Sequence, residues 1–256
     1  MSAATAESVI RHDEGGVCTL TLNRSDKLNA LDTNAFEALE SHLVSLEEQL
    51  DQVGCVVLRG AGRGFCAGAD LVALGSVSQR PATYKPQVIE RLSRLPRPVI
   101  AAVHGVCFTG GLELALACDL IVADATARFA DTHGKWGLVG AWGMTQRLPR
   151  RIGMAAAKRM MFTSRECSAA DAHQLGLVDV LCPAGALEEL LKGLLAEILA
   201  NSRFSNRATK RLLIETDGMS LAQGLAHEQY RYPGWASDHA ERVAAFARGR
   251  RAPKKA

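Results

Sequence analysis

No stretch of this chain approaches the ~20 uninterrupted apolar residues that a membrane-spanning helix requires, so no membrane association of that kind is expected. The opening residues, MSAATAESVIRHDEGG, lack an apolar run behind a basic start, and no secretory signal is expected there. Neither sign of charge prevails: 30 basic side chains stand against 27 acidic ones, a net +3. That balance gives no case for wholesale nucleic-acid binding. The positive excess gathers in the closing RGRRAPKKA, which reads as a solvated end, although such a tail can also meet phosphates. Paired cysteines are missing as well. The seven, at 18, 55, 66, 107, 118, 167 and 182, are odd in number and include no CxxC spacing. Most lie beside apolar residues, as in GVCTL and VGCVVL. They read as reduced core positions of a cytoplasmic protein and speak against zinc ligation. The glycines of GAGRGFCAG are not in GxGxxG order, no acidic residue follows about 20 positions on at a strand end, and no Walker lysine is present.

What is present is core-forming material. The 256 residues are 48% hydrophobic and 22% charged, enough for one large domain or a domain with an appendage. VCTLTLN (17–23), CVVLRG (55–60), VIAAV (99–103), DLIVA (119–123) and LVDVLCP (177–183) read as strands. Residues 31–50 have helical apolar spacing with Asp32 as N-cap, and SAADAHQLG has Ser168 as N-cap and Gly176 as C-cap. Residues 75–86 read as a loop, and VIERLSRL as a short helix stopped by Pro96 and Pro98. Strands and helices alternate to about residue 185. Helices alone follow, which argues an α/β core with a helical appendage.

Two units share one plan. CVVLRGAGRGFCAGADL and VIAAVHGVCFTGGLELAL are each a buried strand, a small-residue loop, a glycine and a helix. Small residues let another molecule approach the backbone, and the first N–H groups of a helix lack internal partners. Two such units facing each other would aim two N–H groups at one oxygen, as an oxyanion hole does. For either unit alone, glycines that merely let a helix pack on a strand are the simpler account.

FCAGADL (65–71), RPVIAAVHG (97–105), GGLELALACDLIVA (110–123), GLVGAWGMTQRLPRRIG (137–153) and SAADAHQLGLVDVL (168–181) resemble the enoyl-CoA hydratase/isomerase, or crotonase, superfamily. LNRSDKLNALD (22–32) resembles its N-terminal element, and the likeness covers nearly the whole chain. The resemblance implies a spiral of ββα turns, here residues 1–195, with a helical C-terminal region, 196–256, that packs trimers, commonly paired into hexamers. It implies an acyl-CoA thioester as substrate, with no cofactor beyond that CoA and no metal. It assigns the oxyanion hole to the N–H groups of Ala67 and Gly110. It lines the substrate pocket with Ala67, Gly68, Ala69, Asp70 and Gly110, and offers Lys27 to the CoA phosphates; a merely solvated Lys27 is the equal alternative.

By the same resemblance Glu113 is one of the two hydratase glutamates. In the first turn of an otherwise apolar helix it could activate water, or simply favour the helix dipole. The second glutamate position holds His133. The acid that some isomerases and dehalogenases carry further on is replaced by Ala141, and Asp131 is the nearest carboxylate. His133 is therefore a catalytic acid/base, or a histidine that only shapes the pocket. Cys66 reads as a space-filling residue beside the pocket rather than a nucleophile. Enoyl-CoA hydration is the leading activity. Double-bond isomerisation, CoA-thioester hydrolysis, and a non-catalytic acyl-CoA- or RNA-binding role are the alternatives.

Overall fold

The computed structural model describes residues 7–74 and 79–251. Its main sheet has six strands in the order β1 (Val9–Glu14), β2 (Val17–Leu22), β3 (Cys55–Gly60), β4 (Val99–Val103), β6 (Leu120–Asp124) and β9 (Val180–Cys182). All neighbours are parallel except β1 and β2. A small second sheet holds β5 (Val106–Phe108), β7 (Arg128–Ala130) and β8 (Cys167–Ser168). After β4 and again after β6 the chain crosses to the small sheet before entering a helix. This is the expected spiral of ββα turns.

The helices are α1 (Thr33–Glu48), α2 (Leu71–Leu74), α3 (Tyr84–Ser93), α4 (Gly110–Leu116), α5 (Met144–Ile152), α6 (Met154–Thr163), α7 (Ala169–Gln174), α8 (Leu187–Ala200), α9 (Arg203–Glu215), α10 (Leu221–Tyr230) and α11 (His239–Arg251). The N-cap expectations hold, whereas the C-cap of α7 is Leu175 rather than Gly176, which follows it with φ 77° and lets the chain turn away. The Asp32 carboxylate accepts from the Ala35 N–H at 2.9 Å, and the Ser168 hydroxyl accepts from the Asp171 N–H at 3.1 Å. Helix α3 begins four residues before the apolar pattern does. Pro86 falls in its first turn, where a missing N–H costs nothing. The expected loop at 75–86 therefore ends at Thr83, and its positions 75–78 lie outside the described residues. Strand β1 and the strands of the small sheet carry no apolar run long enough to announce them. β1 is fixed by a two-residue turn at Gly15–Gly16, both with positive φ, that folds it back on β2.

The core lies on both faces of the main sheet. On one face α1, α3 and α4 pack; every residue of α4 is buried, and Leu112 and Leu114 are fully so, each contributing about 1.5–3 kcal/mol. On the other face Leu187 and Leu191 of α8 meet Cys55, Val57, Ile100, Ala102 and Val122. The expected core boundary at 195/196 falls inside α8, which is continuous through it. Beyond it, burial drops sharply. Lys210 is the buried residue of α9, and α10 has none.

Candidate active site

The two strand–loop–helix units border one cavity of about 520 Å³. Register aligns them. Cys66 bridges in parallel with Cys107; the Cys66 N–H donates to the Val106 carbonyl and the Phe108 N–H to the Cys66 carbonyl, both at 2.9 Å. Ala69 and Gly110 each stand three residues beyond those cysteines, so equal offsets bring them together. A Cβ on Gly110 would lie 3.2 Å from the Ala69 nitrogen and 2.5 Å from the Trp142 ring. One on Gly111 would lie 2.4 Å from the Cys66 carbonyl oxygen, so the helix reaches the loop only because glycine stands there.

The resemblance puts the oxyanion donors on Ala67 and Gly110, and the structure corrects the first. The Ala67 N–H donates to the Leu28 carbonyl at 2.9 Å and is not free. The Ala69 and Gly110 N–H groups have no partner among the described residues, and both residues line the cavity. Gly110 is the first residue of α4, where the N–H has no acceptor within the helix. Thr109, just before it, takes φ 50° and ψ −113°, a strained backbone for a β-branched residue that costs about 1–3 kcal/mol. Its N–H donates to the Ala130 carbonyl at 2.8 Å, and its hydroxyl pairs with that of Thr132 at 2.5 Å. These contacts hold the turn that aims the Gly110 N–H into the cavity.

Glu113 is one helical turn further on and 1% exposed. Its Oε1 accepts from the Trp142 N–H at 2.8 Å and the Met144 N–H at 3.1 Å. Met144 opens α5, so that carboxylate oxygen sits at a helix N-terminus. Burial pushes the Glu113 carboxyl above the usual carboxylate range; the two amides and the nearby His133 oppose this without cancelling it. Its Oε2 faces His133 Nε2 at 3.8 Å.

His133 enters from the other side, in a 3-10 turn (His133–Trp136) that follows β7. Its Nδ1 meets Asp131 Oδ1 at 2.6 Å, and its backbone N–H donates to the same oxygen at 3.0 Å. Asp131 is buried, so the segment that carries no helical or strand periodicity in the sequence is held by its own carboxylate. Burial alone would lower the imidazole's pKa. The Asp131 hydrogen bond and the charges of Asp131 and Glu113 outweigh it, and the net direction is upward. Asp131 thus holds His133 so that its Nε2 faces Glu113 at the cavity wall.

The other expected residues divide. Ala67, Ala69 and Gly110 line the cavity; Gly68, Asp70 and Lys27 do not. Gly68 and Asp70 are buried within the loop. Asp70 is occupied locally: it bonds Arg24 at 3.0 Å and accepts from the Val72 and Ala73 N–H groups, opening α2. The Arg24 guanidinium holds the Asp70 carboxyl below the usual range. Lys27 lies 3.5 Å from Asp70 with its side chain half exposed. The Cys66 thiol is fully buried, donates to the Asn29 carbonyl at 3.1 Å and is pushed up to about 12 by burial, the opposite of a reactive thiolate.

Asn29 was invisible in the sequence as a structural residue. Its buried amide donates to the carbonyls of Ala61, Gly64 and Phe65 and its oxygen accepts from the Arg24 N–H, which pins the N-terminal element to the first loop. The i, i+2 spacing of Asp131 and His133 was the only sequence sign of their pairing.

A sequence profile described as enoyl-CoA hydratase/isomerase matches residues 12–252. The chain belongs to the enoyl-CoA hydratase/isomerase family. Among similar proteins of this family is the 1,2-epoxyphenylacetyl-CoA isomerase of Escherichia coli (strain K12), 33% identical over 94% of this chain and 95% of its own. The mitochondrial enoyl-CoA hydratase of Pongo abelii is 35% identical over 98% of this chain and 89% of its own. Among solved structures, the enoyl-CoA hydratase from Bacillus anthracis superposes with a TM-score of 0.89 at 32% identity, covering 96% and 98% of the two chains. Family membership and the crotonase fold therefore agree.

Proposed function

We propose that this enzyme reversibly adds water to a 2-enoyl-CoA thioester. The observation that carries the reading is the pairing of Glu113 Oε2 with His133 Nε2 at 3.8 Å on a cavity that also presents the free Ala69 and Gly110 N–H groups. The two amides hold the thioester oxygen as it gains charge. Glu113 takes a proton from water as the hydroxyl bonds to the β-carbon. The imidazolium of His133 gives its Nε2 proton to the α-carbon as the enolate collapses. Glu113 then passes its proton to His133, which restores both groups. Asp131 keeps Nδ1–H occupied and turns Nε2 toward the substrate. These steps need no metal and no cofactor beyond the CoA of the substrate.

The half-exposed Lys27 is our candidate contact for the CoA phosphates. We place the enzyme in the cytoplasm, on the strength of its unpaired cysteines, five of them buried. We also propose a homotrimer or homohexamer built on the C-terminal helices. Leu213, Leu221, Leu225, Tyr230 and Trp235 are all at least half exposed there, a face that a second copy would cover.

The test is hydration of crotonyl-CoA, followed by loss of the conjugated-thioester absorbance, beside isomerisation of a 3-enoyl-CoA. Turnover of crotonyl-CoA, abolished by Glu113→Gln, is expected. Turnover of the 3-enoyl thioester alone would replace hydration with isomerisation, which the same two proton carriers could perform without water.

A further inference from the structure

The acyl cavity does not run on freely into the protein. Beyond it lies a second, more open cleft of about 610 Å³, bordered by α3 and α5 through Thr83, Pro86, Gln87, Arg147 and Arg150. Among the described residues the two spaces have only Ala141 and Trp142 in common. Ala141 offers only a methyl group, so the partition is the Trp142 indole.

That indole is held from several sides. One edge lies against Gly110, where even a methyl group would collide with it at 2.5 Å. It packs edge-on against the Phe36 ring, with centroids 5.0 Å apart and planes at 77°. The Lys85 ammonium stands 5.7 Å from its centroid and 5.6 Å from that of Phe36. Its backbone is fixed at both ends: the N–H donates to Glu113, and the carbonyl accepts from Arg147 Nη1 at 3.0 Å. Arg147 is itself tied to Glu90 of α3 at 2.7 Å. Swinging the ring aside to admit a longer chain would break these contacts.

We infer that Trp142 is the end wall of the acyl pocket and restricts the enzyme to short acyl groups of about the size of a crotonyl or butyryl chain. This rests on the acyl-CoA reading above. A longer chain would have to displace the indole, together with its Phe36 and Lys85 contacts, to reach the second cleft. Replacing the ring by a methyl group joins the two spaces while leaving the Trp142 N–H in place for Glu113.

The test reads binding of unreactive saturated thioesters, so that it stands apart from whether hydration occurs. Butyryl-, octanoyl- and dodecanoyl-CoA are titrated by calorimetry into the parent protein, Trp142→Ala and Trp142→Phe. In the parent, affinity does not rise from butyryl to dodecanoyl. In Trp142→Ala the dodecanoyl-to-butyryl affinity ratio rises at least tenfold, since each methylene that finds apolar cover is worth roughly fourfold; Trp142→Phe shows a smaller rise in the same direction. A parent that already gains affinity with each added methylene would overturn the wall without any variant being needed. So would an unchanged ratio in Trp142→Ala, provided its circular dichroism matches the parent's. If no acyl-CoA binds any of the three proteins, the acyl-CoA reading itself has failed.

Discussion

The two strand–loop–helix units begin alike and end differently. Both put a small-residue loop beside the cavity, where the Ala69 and Gly110 N–H groups have no partner among the described residues. The first unit then passes into the short helix α2, opened by an aspartate already engaged with Arg24. The second passes into α4, buried along its whole length and carrying Glu113. One unit supplies an amide; the other supplies an amide and a proton carrier. The lesson is that shared geometry can turn two backbone amides toward one cavity, whereas the chemistry depends on which helix brings a buried ionisable group to it.

That asymmetry can be broken at several points. The largest loss belongs to the second unit. Glu113→Gln keeps the shape and removes the base, so kcat should fall by about 10²–10⁴ with thioester binding largely retained. A variant turning over crotonyl-CoA at nearly the parent rate would move the chemistry to another residue. The amides come next. An ester in place of the Ala69 amide, introduced by semisynthesis, deletes one donor and should lower kcat about 10²–10³-fold. The same exchange at Ala67 deletes only the bond to Leu28 and should show itself mainly in thermal stability. Equal catalytic losses at the two positions would restore the assignment to Ala67.

The contribution from outside both units is smaller. His133→Ala should cost about 10²-fold in kcat, and Asp131→Asn about tenfold or more through loss of the imidazole's orientation. Both His133 and Glu113 lie above their ordinary values. The kcat/KM of hydration should therefore fall on the basic side, as His133 loses its proton, with a midpoint above the ordinary imidazole value of ~6.5. Asp131→Asn should bring that limb down. A limb that stays where it was, with the loss confined to KM, would leave His133 as a residue that only shapes the pocket. Restoring a glutamate by His133→Glu should raise crotonyl-CoA hydration if the imidazole merely replaces a lost acid.

The same two groups affect stability in one direction. Each binds its proton more tightly in the folded chain than in the unfolded one. Their contribution is complete below the unfolded pKa and is lost as pH rises through the folded one. The melting temperature should thus decline on going from mildly acidic to mildly basic buffer, and Glu113→Gln should reduce that slope. The smallest effect is expected at Cys66→Ser. The hydroxyl can keep the bond to the Asn29 carbonyl, and most activity should remain; trapping of an acyl-enzyme on Cys66 in the parent would contradict this.

Much of this was readable along the chain because it depends on neighbours in sequence. Asp32 and Ser168 cap the helices they precede, since a cap is a contact over three residues. The runs CVVLRG and VIAAV are strands because nothing else buries such segments on both faces. The resemblance singled out Glu113, Gly110 and His133, and all three border one cavity.

Tertiary structure decided what depends on pairing between distant segments. Whether Ala67 or Ala69 donates to the substrate turns on Leu28, nearly 40 positions away, whose carbonyl claims one amide and leaves the other. Strand β1 and the small sheet exist through their hydrogen-bond partners rather than through any apolar run of their own. Asp131 and His133 are two residues apart, but only the fold buries Asp131 and turns the His133 Nε2 toward Glu113. The physical reason is common to all of these. Local sequence determines which conformations a segment favours, while the identity of the group that meets each N–H and each carboxylate is determined only when the chain is packed, because an unpaired polar group is costly away from water.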